Sequence, residues 1–141
     1  MNAKAITPIL NVSDLSASFE WFAKVGWKKC WDWTRPGESQ PSFGSVGSGE
    51  CEIFLCKDGQ GSRGKSDLAH TTQPLGNDRS EKGVWMSIWV DNVDTIHDQC
   101  VREGLDITHP PTNEPWGVRE FHLRHPDGHV LRVSKGIPRS H

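Results

Sequence analysis

Apolar and polar positions along this chain follow two rhythms that recur in the same order. From Ile6 to Val12 apolar residues alternate with polar ones, as in a strand with two unlike faces, and Trp85 to Val90 does the same. Each stretch gives way to helical spacing: Leu15, Phe19, Phe22 and Val25 in one place, Val93, Ile96, Cys100 and Val101 in the other. Asp14 and Asn92 stand just before these stripes, where a short acceptor side chain satisfies the free N–H groups of a first helical turn. Gly26 and Gly104 follow the stripes, where a left-handed residue ends a helix. Strand patterns then return at about Trp27–Trp33, Ser42–Val46 and Cys51–Cys56, and again at about Asp106–Thr108, Val118–His125 and His129–Ser134. Pro126-Asp127-Gly128 supplies turn chemistry between the last two.

The two halves superpose without a gap when the chain is shifted by 78 residues. Val12-Ser13-Asp14-Leu15 then falls on Val90-Asp91-Asn92-Val93, and Gly26 on Gly104. Each half reads strand, helix and three strands, so the expected fold is α+β, with two tandem βαβββ modules. The expected divisions are 1–56 for the first module, 57–84 for a polar linker or flap, and 85–141 for the second.

Composition changes this picture in one respect. Hydrophobic residues make up 34% of the 141, and no apolar run approaches the roughly 18 residues of a membrane span. Met1-Asn2-Ala3-Lys4 carries no secretory pattern, so a cytoplasmic location is expected. Cys30, Cys51, Cys56 and Cys100 lack zinc-type paired spacing and are expected as free buried thiols. A net charge of −2, mixed in sign, points away from nucleic acid as a partner. The exception is aromatic usage, with seven Trp, five Phe and no Tyr. Indoles are favoured where a flat surface grips a ligand, and about half of these are expected in the core.

Candidate chemistry is sparse. The histidines, at 70, 97, 109, 122, 125, 129 and 141, are scattered and expected at the surface or among polar groups. His122 is the one placed in mid-strand, beside Glu120. Neither a Ser-His-Asp or Cys-His arrangement nor a Gly-rich phosphate loop is present.

Two βαβββ modules of this size, with Val12-Ser13-Asp14-Leu15 before a helix, resemble the vicinal-oxygen-chelate, or glyoxalase/bleomycin-resistance/dioxygenase, superfamily. Pro115 to Phe121, followed by His125-Pro126-Asp127-Gly128-His129, and Pro8 in the first strand are similar to the bleomycin resistance proteins in particular. The resemblance implies a concave ligand cavity and a two-fold homodimer, with a first strand exchanged about Pro8. It also implies metal ligands from the first and last strands of each module. Alternation puts Thr7, Ile9 and Asn11 in the cavity, with Leu10 and Val12 in the core. The family's ligand places then hold Thr7, Phe54, Trp85 and Arg132, none a suitable donor. No metal and no other cofactor is expected.

Aromatic groups take those places instead. Trp31, Trp33, Phe54, Trp85, Trp89 and Trp116 are expected to line the site, with Arg119, Glu120, His122 and Arg132 as its polar groups. Such a wall suits an aromatic or cationic molecule, held by stacking and cation–π attraction. The expected function is therefore non-catalytic sequestration of an antibiotic-like small molecule, as in bleomycin resistance. The alternative is a metal-dependent enzyme (lyase, isomerase, dioxygenase or thiol transferase), which requires Glu52, Glu120 and His122 to converge. A third reading is a module whose exposed Trp residues bind a protein.

Overall fold

The computed structural model describes residues 1–64 and 83–138. Most of the stretch read as a linker, together with His70 and His141, lies outside the described residues. The chain divides into two compact units, Met1–Arg63 and Gly64–His141. The first unit runs β1 (Ile9–Val12), α1 (Leu15–Lys24), β2 (Lys28–Trp33), β3 (Phe43–Ser48) and β4 (Cys51–Lys57). The second runs β5 (Trp85–Trp89), α2 (Val93–Arg102), β6 (Asp106–Glu114), β7 (Val118–Arg124) and β8 (Val130–Gly136). Each sheet is mixed and unclosed, in the order β1-β4-β3-β2 or β5-β8-β7-β6, with its first strand parallel to its last. This is the tandem βαβββ arrangement that the repeat predicts.

The repeat extends to the atoms that begin and end the helices. Asp14 Oδ1 accepts from the Ala17 N–H at 2.9 Å, and Asn92 Oδ1 accepts from Thr95 at 3.1 Å. Gly26 (φ 95°) and Gly104 (φ 69°) take the left-handed conformation that turns the chain out of each helix. The next residues, Trp27 and Leu105, then donate back to Phe22 and Cys100 at 2.9 and 3.0 Å.

Strand alternation sets the core of each unit. Leu10, Val12, Val46, Ile53 and Leu55 are buried on the helix side of the first sheet, with Leu15, Trp21 and Phe22 of α1. In the second unit Phe121, Leu123, Leu131 and Val133 meet Val93 and Cys100. Each such side chain contributes roughly 2 kcal/mol by leaving water. The α1 stripe is rotated from the expected one: Ser18 and Trp21 are buried, while Phe19 lies partly exposed with its ring over Gly44. In α2, Val101 is 54% exposed and falls off the stripe.

Other expectations are corrected. The strand expected at Asp106–Thr108 continues to Glu114, passing Pro110 and Pro111 at register shifts on the sheet's edge. Edge strands and bulges are where a sheet tolerates missing N–H donors. Only Cys100 among the four cysteines is buried, with its thiol pushed up to about 11 by burial and by Glu103; Cys30 and Cys51 are exposed. His122, His125 and His129 are buried, His122 among polar groups as one of the two expectations for the histidines had it. Of the seven Trp, Trp21 and Trp27 are core and the other five are exposed. No helix among the described residues is long and apolar enough to cross a membrane.

Candidate functional site

Each sheet has a face turned away from its helix, and the two faces differ in chemistry. In the first unit, the register Trp31↔Ser45↔Phe54↔Ile9 and Trp33↔Phe43↔Cys56↔Asn11 places these side chains together. Trp31, Phe43 and Phe54 form a closed triangle of rings with centroids 5.3–5.5 Å apart. Tilted and edge-on contacts of this kind favour the ring quadrupoles as well as burying area. Trp31, Trp33 and Ile9 remain 37, 49 and 54% exposed. A register irregularity between Lys29 and Trp31 turns the strand so that both indoles share this face. Ser45, buried between the Trp31 and Phe54 positions, donates to Glu52 at 2.5 Å.

In the second unit, the same face carries ionisable groups. Glu120 is buried, accepting from the Arg132 guanidinium at 2.7 Å and from Ser134 Oγ at 2.9 Å. Burial alone would raise its pKa, but these two bonds and the Arg132 charge outweigh that and hold it below the ordinary value. His122 Nε2 lies 3.5 Å from Glu120. Burial lowers the His122 pKa, and the attraction of Glu120 does not restore it. The His109 ring stands 4.9 Å from that of His122, and His109 is itself bonded to Glu114 at 2.8 Å. Trp85 flanks His122 at 6.3 Å, and Trp89, 65% exposed, continues the face along β5.

The ten residues expected at the site therefore divide into groups. Trp31, Trp33 and Phe54 come together in the first unit; Trp85, Trp89, Glu120, His122 and Arg132 share one face in the second. Arg119 does not join them. It alternates with Glu120, points to the helix side, and grips Asp94 of α2 through two bonds of 2.7 and 2.9 Å. Trp116 stands 52% exposed in the turn between β6 and β7. Sequence reasoning missed Phe43, Ser134, His109 and Glu114. Phe43 and Ser134 follow from alternation once β3 and β8 are placed, whereas His109 was hidden by the early end assigned to β6.

Comparison with known families now decides the lineage. Residues 5–133 match the model of the Glyoxalase/Bleomycin resistance protein/Dioxygenase superfamily. The chain belongs to this superfamily. Among solved structures it is similar to TioX from Micromonospora sp. ML1, with a TM-score of 0.70 at 18% identity over 96% of this chain and 100% of that one. It is also similar to a glyoxalase-related enzyme from Clostridium phytofermentans, with a TM-score of 0.69 at 20% identity over 97% and 98% of the two chains. A bleomycin-binding protein complexed with bleomycin matches with a TM-score of 0.63 at 16% identity over 95% and 99%. No curated protein matches the chain in sequence.

The residues at the superfamily's metal places do not fit a metal. Phe54 is packed in the ring triangle, Trp85 lies against His122, and Arg132 puts a fixed positive charge where a cation would sit. Thr7 offers one hydroxyl. Among the described residues no three His, Cys, Asp or Glu side chains converge as a ligand set.

Proposed function

We propose that this superfamily member is a non-catalytic small-molecule binding protein of bleomycin-resistance type, which sequesters an aromatic or cationic antibiotic-like ligand. The observation that carries the reading is the set of exposed indoles on the open sheet faces: Trp31 and Trp33 beside Phe43 and Phe54, and Trp85 with Trp89. Exposing this much indole costs a soluble chain solubility and gains it nothing unless the rings meet a partner. Each stack contributes on the order of 1 kcal/mol beyond burial, so ring burial with a few stacks can supply the roughly 8 kcal/mol of micromolar binding without chemistry. The complex of the similar protein with bleomycin supports the same class of ligand. All ten expected positions except Arg119, whose guanidinium is committed to Asp94, are kept as proposed ligand-binding residues of their own units.

The proposal extends to a cytoplasmic homodimer. Ile6 is 91% exposed, and Pro8 marks where the arm enters the sheet, its carbonyl accepting from Phe54 at 2.9 Å. An exchanged first strand hinged there would cover Ile6, and light scattering of wild-type protein reads the stoichiometry directly.

A second reading, an enzyme of glyoxalase type, is favoured by one observation: the buried Glu120–His122 pair has the chemistry of an acid–base couple. Thermal unfolding separates the two. Bleomycin added to chelator-dialysed protein should raise the melting temperature, since a ligand of the native state stabilises it by mass action. A stoichiometric divalent ion in purified protein, with no shift from bleomycin, would favour the enzyme.

A further inference from the structure

The first unit contains a cavity of about 610 Å³ that joins the aromatic face. Ile9, Phe43 and Cys56 form its apolar side; the register of β1, β3 and β4 puts them on the face that carries Trp31 and Phe54. Arg35, Lys57 and the segment Asp58–Gly61 form the rest. That segment is held deliberately. Asp58 is the only non-glycine among the described residues with a left-handed backbone, at φ 52°. Its N–H donates to Val12 at 3.1 Å and its carboxylate pairs with Arg63 at 2.9 Å. The Asn11 side chain then ties the segment from below, donating to the Gly61 carbonyl at 2.6 Å. It also accepts from the Gly59 N–H at 3.1 Å and from Arg63 at 3.3 Å. Backbone held in a sparsely populated conformation persists where its surroundings over-determine it, and here it shapes one wall of a cavity.

The charges of that wall are unequal. Asp58 is neutralised by Arg63. Lys57 has no ion-pair partner among the described residues, and Arg35 has only a 3.6 Å contact with Glu38 between two well-exposed side chains. Such exposed pairs hold an arginine weakly. The cavity thus offers a ring-binding side and two cations available to a ligand.

We propose that this cavity is a subsite for an aromatic ligand bearing an anionic group, such as a carboxylate, with the ring against Phe43 and Ile9 and the anion toward Arg35 and Lys57. This rests on the small-molecule reading above and gives it a charge preference at one end of the face. Cys56 reports on occupancy because its thiol lines the cavity and is partly exposed.

Three naphthalene probes of equal ring size test it: 2-naphthoate, the neutral 2-naphthamide and the naphthalen-2-ylmethylammonium cation. Calorimetry measures affinity, and peptide mapping after iodoacetamide treatment measures Cys56 protection. The expected result is that 2-naphthoate binds at least fivefold more tightly than the other two and protects Cys56. The double variant R35Q/K57Q, altered only at surface side chains, should abolish the preference while keeping ring binding. Equal affinity for the three probes, or a preference that survives in R35Q/K57Q, overturns the subsite and leaves the binding-protein reading standing. Failure of bleomycin and all three probes to bind overturns both.

Discussion

The two open sheet faces occupy corresponding places in the repeat, yet they are built from opposite chemistry. Following the ladders, Phe43, Ser45, Phe54 and Cys56 of the first unit correspond to Glu120, His122, Arg132 and Ser134 of the second. The first set turns ring faces and edges outward and leaves Trp31 and Trp33 accessible. In the second the Arg132 guanidinium and the Ser134 hydroxyl both donate to the Glu120 carboxylate, and Glu120, His122 and Ser134 are nearly inaccessible. One fold thus supplies a face of accessible rings and a face of largely buried ionisable groups. The proposed ligand stacking rests on the first face, and within the second unit Trp85 and Trp89 are the exposed rings.

Acid should strain this contrast most. All seven histidines follow residue 63, so protonation acts on the second unit. Burial, with the neighbouring His129, lowers the His125 pKa to about 4 from 6.5, Asp127 opposing. The unfolded chain therefore binds this proton first, and stability falls as the pH drops from about 6.5 toward 4, by roughly 3 kcal/mol. Glu120, held below its ordinary value, adds a loss in the same direction as pH falls through its folded pKa. Hydrogen exchange read by unit should show amides of β7 and β8 losing protection before those of β3 and β4. Equal loss in both would mean that the histidines do not distinguish the units.

Next in size is the internal pairing itself. Arg132→Met leaves Glu120 buried with Ser134 at 2.9 Å and His122 at 3.5 Å beside it, and should cost about 2–3 kcal/mol in urea unfolding. That is below the loss for a fully buried pair because Arg132 is 26% exposed. Adding Glu120→Gln should recover part of it. A double variant no better than the single would show that the pair is not coupled. The smallest effect is expected at Arg119. Because its guanidinium faces α2, Arg119→Ala should leave ligand affinity unchanged, and a loss beyond twofold would return it to the site.

Much of this was legible in the sequence because backbone constraints leave local signs. Asp14 and Asn92 cap helices, Gly26 and Gly104 end them, and the 78-residue offset between the pairs survives in the structure. Alternation placed Leu10, Ile53, Leu55, Leu131 and Val133 in the core and Phe54 and Arg132 opposite. What sequence could not give were non-local contacts. Two prolines concealed the continuation of β6, and with it the approach of His109 to His122. Arg119 and Glu120 are adjacent in sequence, yet strand pleating separates them by the thickness of the sheet. The Asp58–Gly61 wall depends on Asn11, some 50 residues away, and no local pattern announces it.

The central claim is that the aromatic face binds a small molecule without a metal. The most direct test is a tryptophan-fluorescence titration of chelator-dialysed protein with bleomycin, run beside the Phe54→Ala variant. The account predicts saturable quenching in the wild type and affinity weakened about tenfold in the variant, which removes the ring that touches both Trp31 and Phe43 and with it more than about 1 kcal/mol of contact. Quenching that appears only when a divalent ion is added, or that is unaltered by Phe54→Ala, would contradict it.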